Sequence, residues 1–265
     1  MTNLERRMID ALKLLRDSCG AEGVKAEFEA EGTRTEEMMT LKEIALKAGV
    51  GFALKVGGCE AIRDMHDARF VGVDCVVGPM VESPFALKKY VDAIELVFSE
   101  DERKEIDFLI NVETIDTIES IDELYSCEAF GRLDGIVLGR GDLVESMGLP
   151  RSEVDCGSCL ELTRKALRKA KDRGKTTVMG GSITAASIDF IRAIPEEALD
   201  MFETRKVYFR TAEALRRDPV KAIEQALAFE LMWLENKRER YGAIALEDDS
   251  RIKDLNKRIA KTRIA

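Results

Sequence analysis

The sequence holds a single histidine, His66, among 265 residues. That argues against metal sites built from several imidazoles and against a Ser-His-Asp triad. No apolar run approaches the roughly 20 residues that a membrane span needs. No long basic tract occurs, and the net charge is -9, so nucleic acid is not an expected partner. Nor is there a glycine fingerprint of the G-x-G-x-x-G kind, which speaks against a dinucleotide-binding sheet. Six cysteines are scattered along the chain: Cys19, Cys59, Cys75, Cys127, Cys156 and Cys159. Only Cys156 and Cys159 have CxxC spacing, without the second pair or histidines that a zinc site wants. Free thiols are the expectation. The first 17 residues read as a charged amphipathic helix and not as a secretion signal, so a soluble, cytoplasmic protein is expected.

What is present is strand and helix in alternation. Hydrophobic residues make up 45% of the chain, enough for a sizeable core. A helix is predicted over 4–17, a strand over Val24–Glu29, a helix from Thr35 through Ala48, and a strand over Gly51–Val56. Further strands are predicted at Asp74–Val77, Asp107–Val112, Gly135–Leu138, Thr176–Met179 and Met201–Phe209. Helices fall between them, over Cys59–Ala68, Pro84–Phe98, Ser152–Arg173 and Ala185–Ala193. A last helix runs from Pro219 to about Tyr241, with Val220, Ile223, Leu227, Leu231 and Leu234 on one stripe. The tail from Glu247 is mostly charged.

Alternation of this kind over one domain's length points to a parallel α/β fold. A (βα)8 TIM barrel fits best, because a chemistry-bearing residue follows nearly every strand. The whole of 1–265 reads as one barrel domain, with 219–265 as a C-terminal helical extension. Only seven strands can be counted. The eighth is either hidden near Gly20 or absent from an irregular barrel.

The centre of the argument is the stretch 109–148. Two short apolar runs each end in a carboxylate, Glu113 and Asp142, with a segment of helical spacing between them. Strand, helix, strand implies parallel neighbours, with both acids on the same carboxyl-terminal rim. Two acids on one rim can hold a hard divalent cation through oxygen. The plainer alternative is that each acid caps the helix after it. Around the same rim the pattern places Glu27, Glu29, Lys55, Glu82, Arg140, Ser182, Glu203, Arg205 and Lys206. Lys55 lies in an otherwise apolar strand, so it must be paired or functional. Gly139 and Gly141 flank Arg140 and let backbone N–H groups approach an anion, or else form a simple tight turn. Gly180-Gly181-Ser182 has the same two readings. Glu203 and Arg205 fall on one side of the last strand and are expected to pair or to join the site. His66, mid-helix between acids, reads as a surface residue.

These residues carry a resemblance. Gly78-Pro-Met-Val-Glu-Ser83, Val112-Glu-Thr114, Asp134 through Leu143 and Ser146-Met-Gly148 resemble motifs of the HpcH/HpaI aldolase and citrate lyase beta-subunit family, well over residues 50 to 150 and loosely elsewhere. The resemblance implies a TIM barrel of the phosphoenolpyruvate/pyruvate type. It implies Mg²⁺, Mn²⁺ or another divalent cation held by Glu113 and Asp142. The chemistry implied is making or breaking a C–C bond through a metal-stabilised enolate. The partner would be a small anionic oxo acid or its thioester. Two departures stand out. Where the family carries an arginine on an early strand this chain offers Lys55, which lacks the bidentate fork. Where the pyruvate aldolases carry a histidine base, this chain reads Glu27 to Glu31 with none. Either a glutamate, with Glu29 the choice, acts with Lys55 and Arg140 as the catalytic set, or the chemistry differs. Glu82, Gly139, Gly141, Ser182 and Arg205 are the expected substrate contacts beside Lys55. A catalytically altered binding or assembly subunit is the alternative. The family also tends to pack a C-terminal helix on a neighbouring subunit, so a homo-oligomer through the last helix is expected.

Overall fold

The computed structural model describes residues 1–262. Eight strands close a barrel in sequence order. They are β1 (Ala21–Glu27), β2 (Gly51–Lys55), β3 (Cys75–Gly78), β4 (Asp107–Val112), β5 (Gly135–Gly139), β6 (Thr176–Gly180), β7 (Met201–Glu203) and β8 (Val207–Arg210). Strands β1 to β7 are parallel neighbours; β8 runs antiparallel to both β7 and β1. The helices are α1 (Asn3–Cys19), α2 (Thr35–Ala48), α3 (Ile62–Val71), α4 (Pro84–Val97), α5 (Ile115–Glu119), α6 (Ile121–Ser126), α7 (Glu128–Gly131), α8 (Arg140–Ser146), α9 (Gly157–Lys171), α10 (Ile188–Ala193), α11 (Thr211–Arg216) and α12 (Pro219–Thr262).

Alternation within each strand builds two cores. Outward positions such as Val24, Phe52, Leu54, Val76, Ile110, Ile136 and Leu138 are fully buried under the helices. Inward positions form a small apolar layer of Val77, Leu109, Val137 and Val178 across the barrel. Above that layer, towards the carboxyl edge, the inward residues turn polar: Lys25, Glu27, Lys55, Asn111 and Glu203 are all buried. Aspartates at strand entries hold the sheet together. Asp74, Asp134 and Asp200 accept hydrogen bonds from the Phe52, Phe108 and Thr177 N–H groups at 2.7, 2.8 and 2.8 Å.

The eighth strand lies inside what reads in sequence as the seventh. Residues 201–210 are a hairpin turning at Thr204, whose N–H donates to the Val207 carbonyl at 2.9 Å and whose hydroxyl donates to it at 3.1 Å. The turn carries no glycine or proline, and the period-2 pattern continues through it, so nothing marks it in the sequence. Phe202 and Phe209 face each other across the hairpin with stacked rings 5.2 Å apart. The barrel is therefore closed but irregular.

Two further expectations are corrected. Strand β1 starts at Ala21, earlier than expected, and includes Gly23, because β8 pairs with this end of it. The last helix does not stop near Tyr241; it continues to Thr262, and residues 263–265 of the expected extension lie outside the described residues. Its apolar stripe also divides. Ile223 is buried with Ala222, Ala226, Phe229 and Trp233, whereas Val220, Leu227, Leu231 and Leu234 are exposed. Cys156, one half of the CxxC pair, N-caps α9 by accepting from the Cys159 N–H at 3.4 Å. His66 is exposed, as read.

Barrel closure rests on the Tyr208 ring filling the space above two glycines. A Cβ on Gly51 would lie 2.5 Å from the Tyr208 hydroxyl but 3.4 Å or more from everything else. Gly51→Ala is expected to cost about 1–3 kcal/mol by overpacking. Adding Tyr208→Phe should restore most of that, since the hydroxyl has no hydrogen-bond partner among the described residues. Urea denaturation of both single variants and the double variant measures the coupling; strictly additive losses would contradict this account of closure.

Candidate active site

At the carboxyl-terminal edge lies a cavity of about 390 Å³. It is lined by side chains from β1, β2, β4, β5, β6 and β7, from the loops after them, and by Leu227 and Glu230 of α12. Of the residues singled out in the sequence, Glu27, Glu29, Lys55, Glu113, Gly139, Gly141, Asp142, Ser182, Glu203 and Arg205 share this wall. Three do not: Glu82, Arg140 and Lys206, the last paired with Glu31. Glu82 is exposed outside the cavity, and its carboxylate accepts from the Thr114 hydroxyl at 2.6 Å.

Arg140 is the second. Its side chain is wholly buried, turned away from the mouth and into the wall. It ion-pairs with Asp155, donates to the carbonyls of Gly181 at 2.8 Å and Gly180 at 3.3 Å, and stacks on the Phe190 ring at 4.6 Å. Standing first in α8, it reaches back beneath the β6 loop and pins the Gly180–Ser182 backbone. It shapes the rim without facing into the cavity.

The floor of the cavity is a lattice of charge. Lys25 sits between Glu27, at 3.0 Å, and Glu203, a still closer partner. Lys55 contacts Glu29 at 2.7 Å and Glu27 at 3.8 Å. Burial alone would drive both lysines towards neutrality, but the carboxylates outweigh it, so both have raised pKa values and stay charged. Burial likewise works against an ionised Glu27, yet Lys25 and Lys55 together hold its pKa at about 2. Arg205 does not pair with Glu203, as its spacing had implied. It lies in the hairpin turn and meets Glu31 at 3.3 Å, and Lys206 meets the same carboxylate.

Glu113 has different company. Its carboxylate accepts from the Met80 N–H at 3.0 Å and the Asn111 amide at 2.7 Å. Burial raises its pKa; Lys55 opposes this, and Asp142 adds to the rise. Glu113 and Asp142 thus feel each other across one wall. Asp142 in turn receives Arg151 at 2.7 Å, an arginine that also holds Glu145. The Asn111 carbonyl oxygen is buried without any partner. Met80 and Ser182, at the ends of β3 and β6, have positive φ of 49° and 52°. Such backbone strain clusters where a loop is held for function.

Two glycines keep the wall open. A Cβ at Gly139 would fall 2.8 Å from Glu113, and one at Gly180 would fall 2.9 Å from Glu203. The donors that remain are all oxygen. Among the described residues no cluster of three or more His, Cys, Asp or Glu side chains is arranged around a metal position. Two carboxylates and the orphaned Asn111 oxygen nevertheless suit a hard cation of the Mg²⁺ kind, which retains waters and substrate oxygens as its other ligands.

A closed α/β barrel with its charged residues gathered at the carboxyl edge is of the TIM type, and this is the class to which fold and site together point. The HpcH/HpaI aldolase/citrate lyase family model matches residues 54–180, from β2 to the end of β6. No curated protein matches the chain. Among solved structures it is similar to an HpcH/HpaI aldolase from Desulfitobacterium hafniense DCB-2, at 16% identity and TM-score 0.59, covering 74% of this chain and 81% of that one. A citrate synthase, SbnG, matches at 16% identity and TM-score 0.59, over 88% of this chain and 90% of that one. An HpcH/HpaI aldolase/citrate lyase family protein from Burkholderia cenocepacia J2315 matches at 13% identity and TM-score 0.59, covering 85% and 99%. At these identities the likeness is one of fold.

Sequence reading passed over four charged or amide side chains of the lining: Lys25, Asn111, Arg151 and Glu230. Asn111 carried a signal, since a polar residue at an inward position of a buried strand needs a reason. Arg151 and Glu230 lie in a loop and a late helix, with nothing local to mark them.

Glu27 gives a test of the charged floor. Its depressed folded pKa, about 2, contributes stability that is complete above the unfolded value near 4.5 and is lost as pH falls towards 2. The difference in unfolding free energy between wild type and Glu27→Gln should shrink by about 2 kcal/mol between pH 6 and pH 3. A difference that stays constant over that range would show that Glu27 is not held by its lysines.

Proposed function

We propose that this protein is a divalent-metal-dependent carbon–carbon lyase or aldolase acting on a small 2-oxo acid or its thioester. The observation that carries the reading is the convergence of Glu113 and Asp142, from the ends of neighbouring parallel strands, on one cavity with the unpartnered Asn111 oxygen. The charge balance supports it. Six carboxylates line the cavity against four cationic side chains, leaving two negative charges in excess. An anionic oxo acid entering alone would be repelled; a dication would neutralise the wall and let it in. The raised pKa of Glu113 fits a carboxylate awaiting a positive partner. The volume, about 390 Å³, suits a small substrate.

When bound, Mg²⁺ or Mn²⁺ would supply Lewis acidity to the oxo group. The chain's own residues bind and orient. Glu113 and Asp142 would hold the cation, and Arg151, which pairs with Asp142 on the same wall, is a positive group for the substrate carboxylate. Lys55, kept protonated, adds positive charge on the floor. Gly139, Gly141 and Ser182 shape the wall beside the substrate. Glu29 is already committed to Lys55 at 2.7 Å, so it serves to hold that lysine.

No helix among the described residues is long and apolar enough to cross a membrane. The partner surface we propose is α12, through which a second copy of this chain docks. Its exposed stripe of Val220, Leu227, Leu231 and Leu234 supports this, with 42%, 42%, 57% and 52% of each residue accessible.

Glu113→Gln and Asp142→Asn should each abolish turnover of pyruvate-derived aldols and weaken Mn²⁺-dependent oxalate binding by about 100-fold or more, with unchanged circular dichroism. Retained binding in both variants would remove the metal site. Sedimentation should show Leu231→Glu/Leu234→Glu as a monomer where wild type is larger; a monomeric wild type would refute the α12 interface.

A further inference from the structure

Six carboxylates face the cavity, and five are occupied. Glu27 and Glu203 hold Lys25, and Glu29 holds Lys55. Glu113 is hydrogen-bonded by Met80 and Asn111, and Asp142 is paired with Arg151. The sixth, Glu230, makes no hydrogen bond or ion pair with any other described residue, although it is half-buried. It stands on α12 one turn beyond Leu227, so both side chains lie on the helix face that overhangs the mouth. The two lysines on the floor are held protonated and so cannot accept a proton. A proton acceptor is most available where no cation or donor holds it, and Glu230 alone among the lining carboxylates has no partner on either oxygen.

We propose that Glu230 is the acid–base residue of this site, whose lining holds no histidine; this rests on the oxo-acid reading above. In the forward step its carboxylate takes a proton from the methyl carbon next to the oxo group. The C–H electron pair becomes the carbon–carbon double bond of the enolate, the oxo oxygen takes the negative charge, and Glu230 becomes a neutral acid. In the reverse step Glu230 returns the proton to that carbon. Its surroundings suit both states. Burial raises its pKa. Arg205 and Lys206, in the hairpin turn, pull it down, while Glu31 and Glu27, at and beyond the end of β1, push it up.

The test is deuterium exchange into the methyl group of pyruvate, followed by proton NMR with Mn²⁺-free, Mg²⁺-loaded protein. Glu230→Gln should slow exchange by about 100-fold or more. Glu230→Asp should recover part of the rate. The rise of the wild-type rate with pH should vanish in Glu230→Gln. Calorimetry gives a second readout that does not depend on turnover. Oxalate, a negatively charged enolate mimic, should bind the wild type and Glu230→Gln with affinities within about threefold. Proton uptake on binding, measured in buffers of different ionisation heat, should appear only in the wild type. Exchange at the wild-type rate in Glu230→Gln, with its pH dependence intact, would overturn the role of Glu230 and leave the oxo-acid reading standing. A wild type that neither exchanges pyruvate protons nor binds oxalate would overturn both.

Discussion

Lys25 is the residue on which the mouth of the barrel depends. Its ammonium is buried, and a buried charge without partners costs several kcal/mol. It is held by Glu27 on its own strand and Glu203 on β7, with β8 lying between those strands. The contact therefore reaches over a neighbour and ties together the part of the barrel where the strand direction changes. Each further charge follows from this one. Glu27 is shared with Lys55, and Lys55 with Glu29. Lys206, also buried, meets Glu31. No member can be neutralised without leaving another uncompensated.

That lattice sits on a thin apolar layer. Val77, Leu109, Val137 and Val178 close the barrel axis beneath it and separate the charged mouth from the opposite end. The low polarity below strengthens each charge interaction above, which is why the pKa values at the mouth depart from those in water. It also makes the exceptions informative. A buried amide oxygen on Asn111 and a half-buried carboxylate on Glu230, both without partners, stand out because the other carboxylates and the lysines of the lining are paired or hydrogen-bonded.

Much of this was readable along the chain, and the reasons are local. Strand β4 and helix α2 occupy the residues predicted for them, because a period-2 apolar run and a Thr-to-Gly-bounded periodic run are signals carried by neighbours. Glu113 and Asp142 share a wall because strand, helix, strand admits only one handed crossover and puts both strand ends on one rim. The hairpin at Thr204 was not readable. Its turn is made by side-chain bonds between ordinary residues, and the alternation of Met201 to Phe209 runs on as if no turn existed. Arg140 looked like a rim residue from its place between two glycines, but at the first position of a helix a side chain can go outward or back, and only the space under the β6 loop decides.

The sequence by itself determined the alternation of elements, the parallel sheet that such alternation builds, and the set of strands whose ends carry acid. Those features depend on which residues are apolar and how far apart they fall, and both quantities are local. Only the tertiary structure decided which charges are spent on one another and which remain free. Whether Glu29 or Glu230 is held by a cation depends on lysines and arginines remote in the chain, brought within a few ångströms by barrel closure. Pairing falls steeply with distance, and distance between remote residues exists only once the chain has folded.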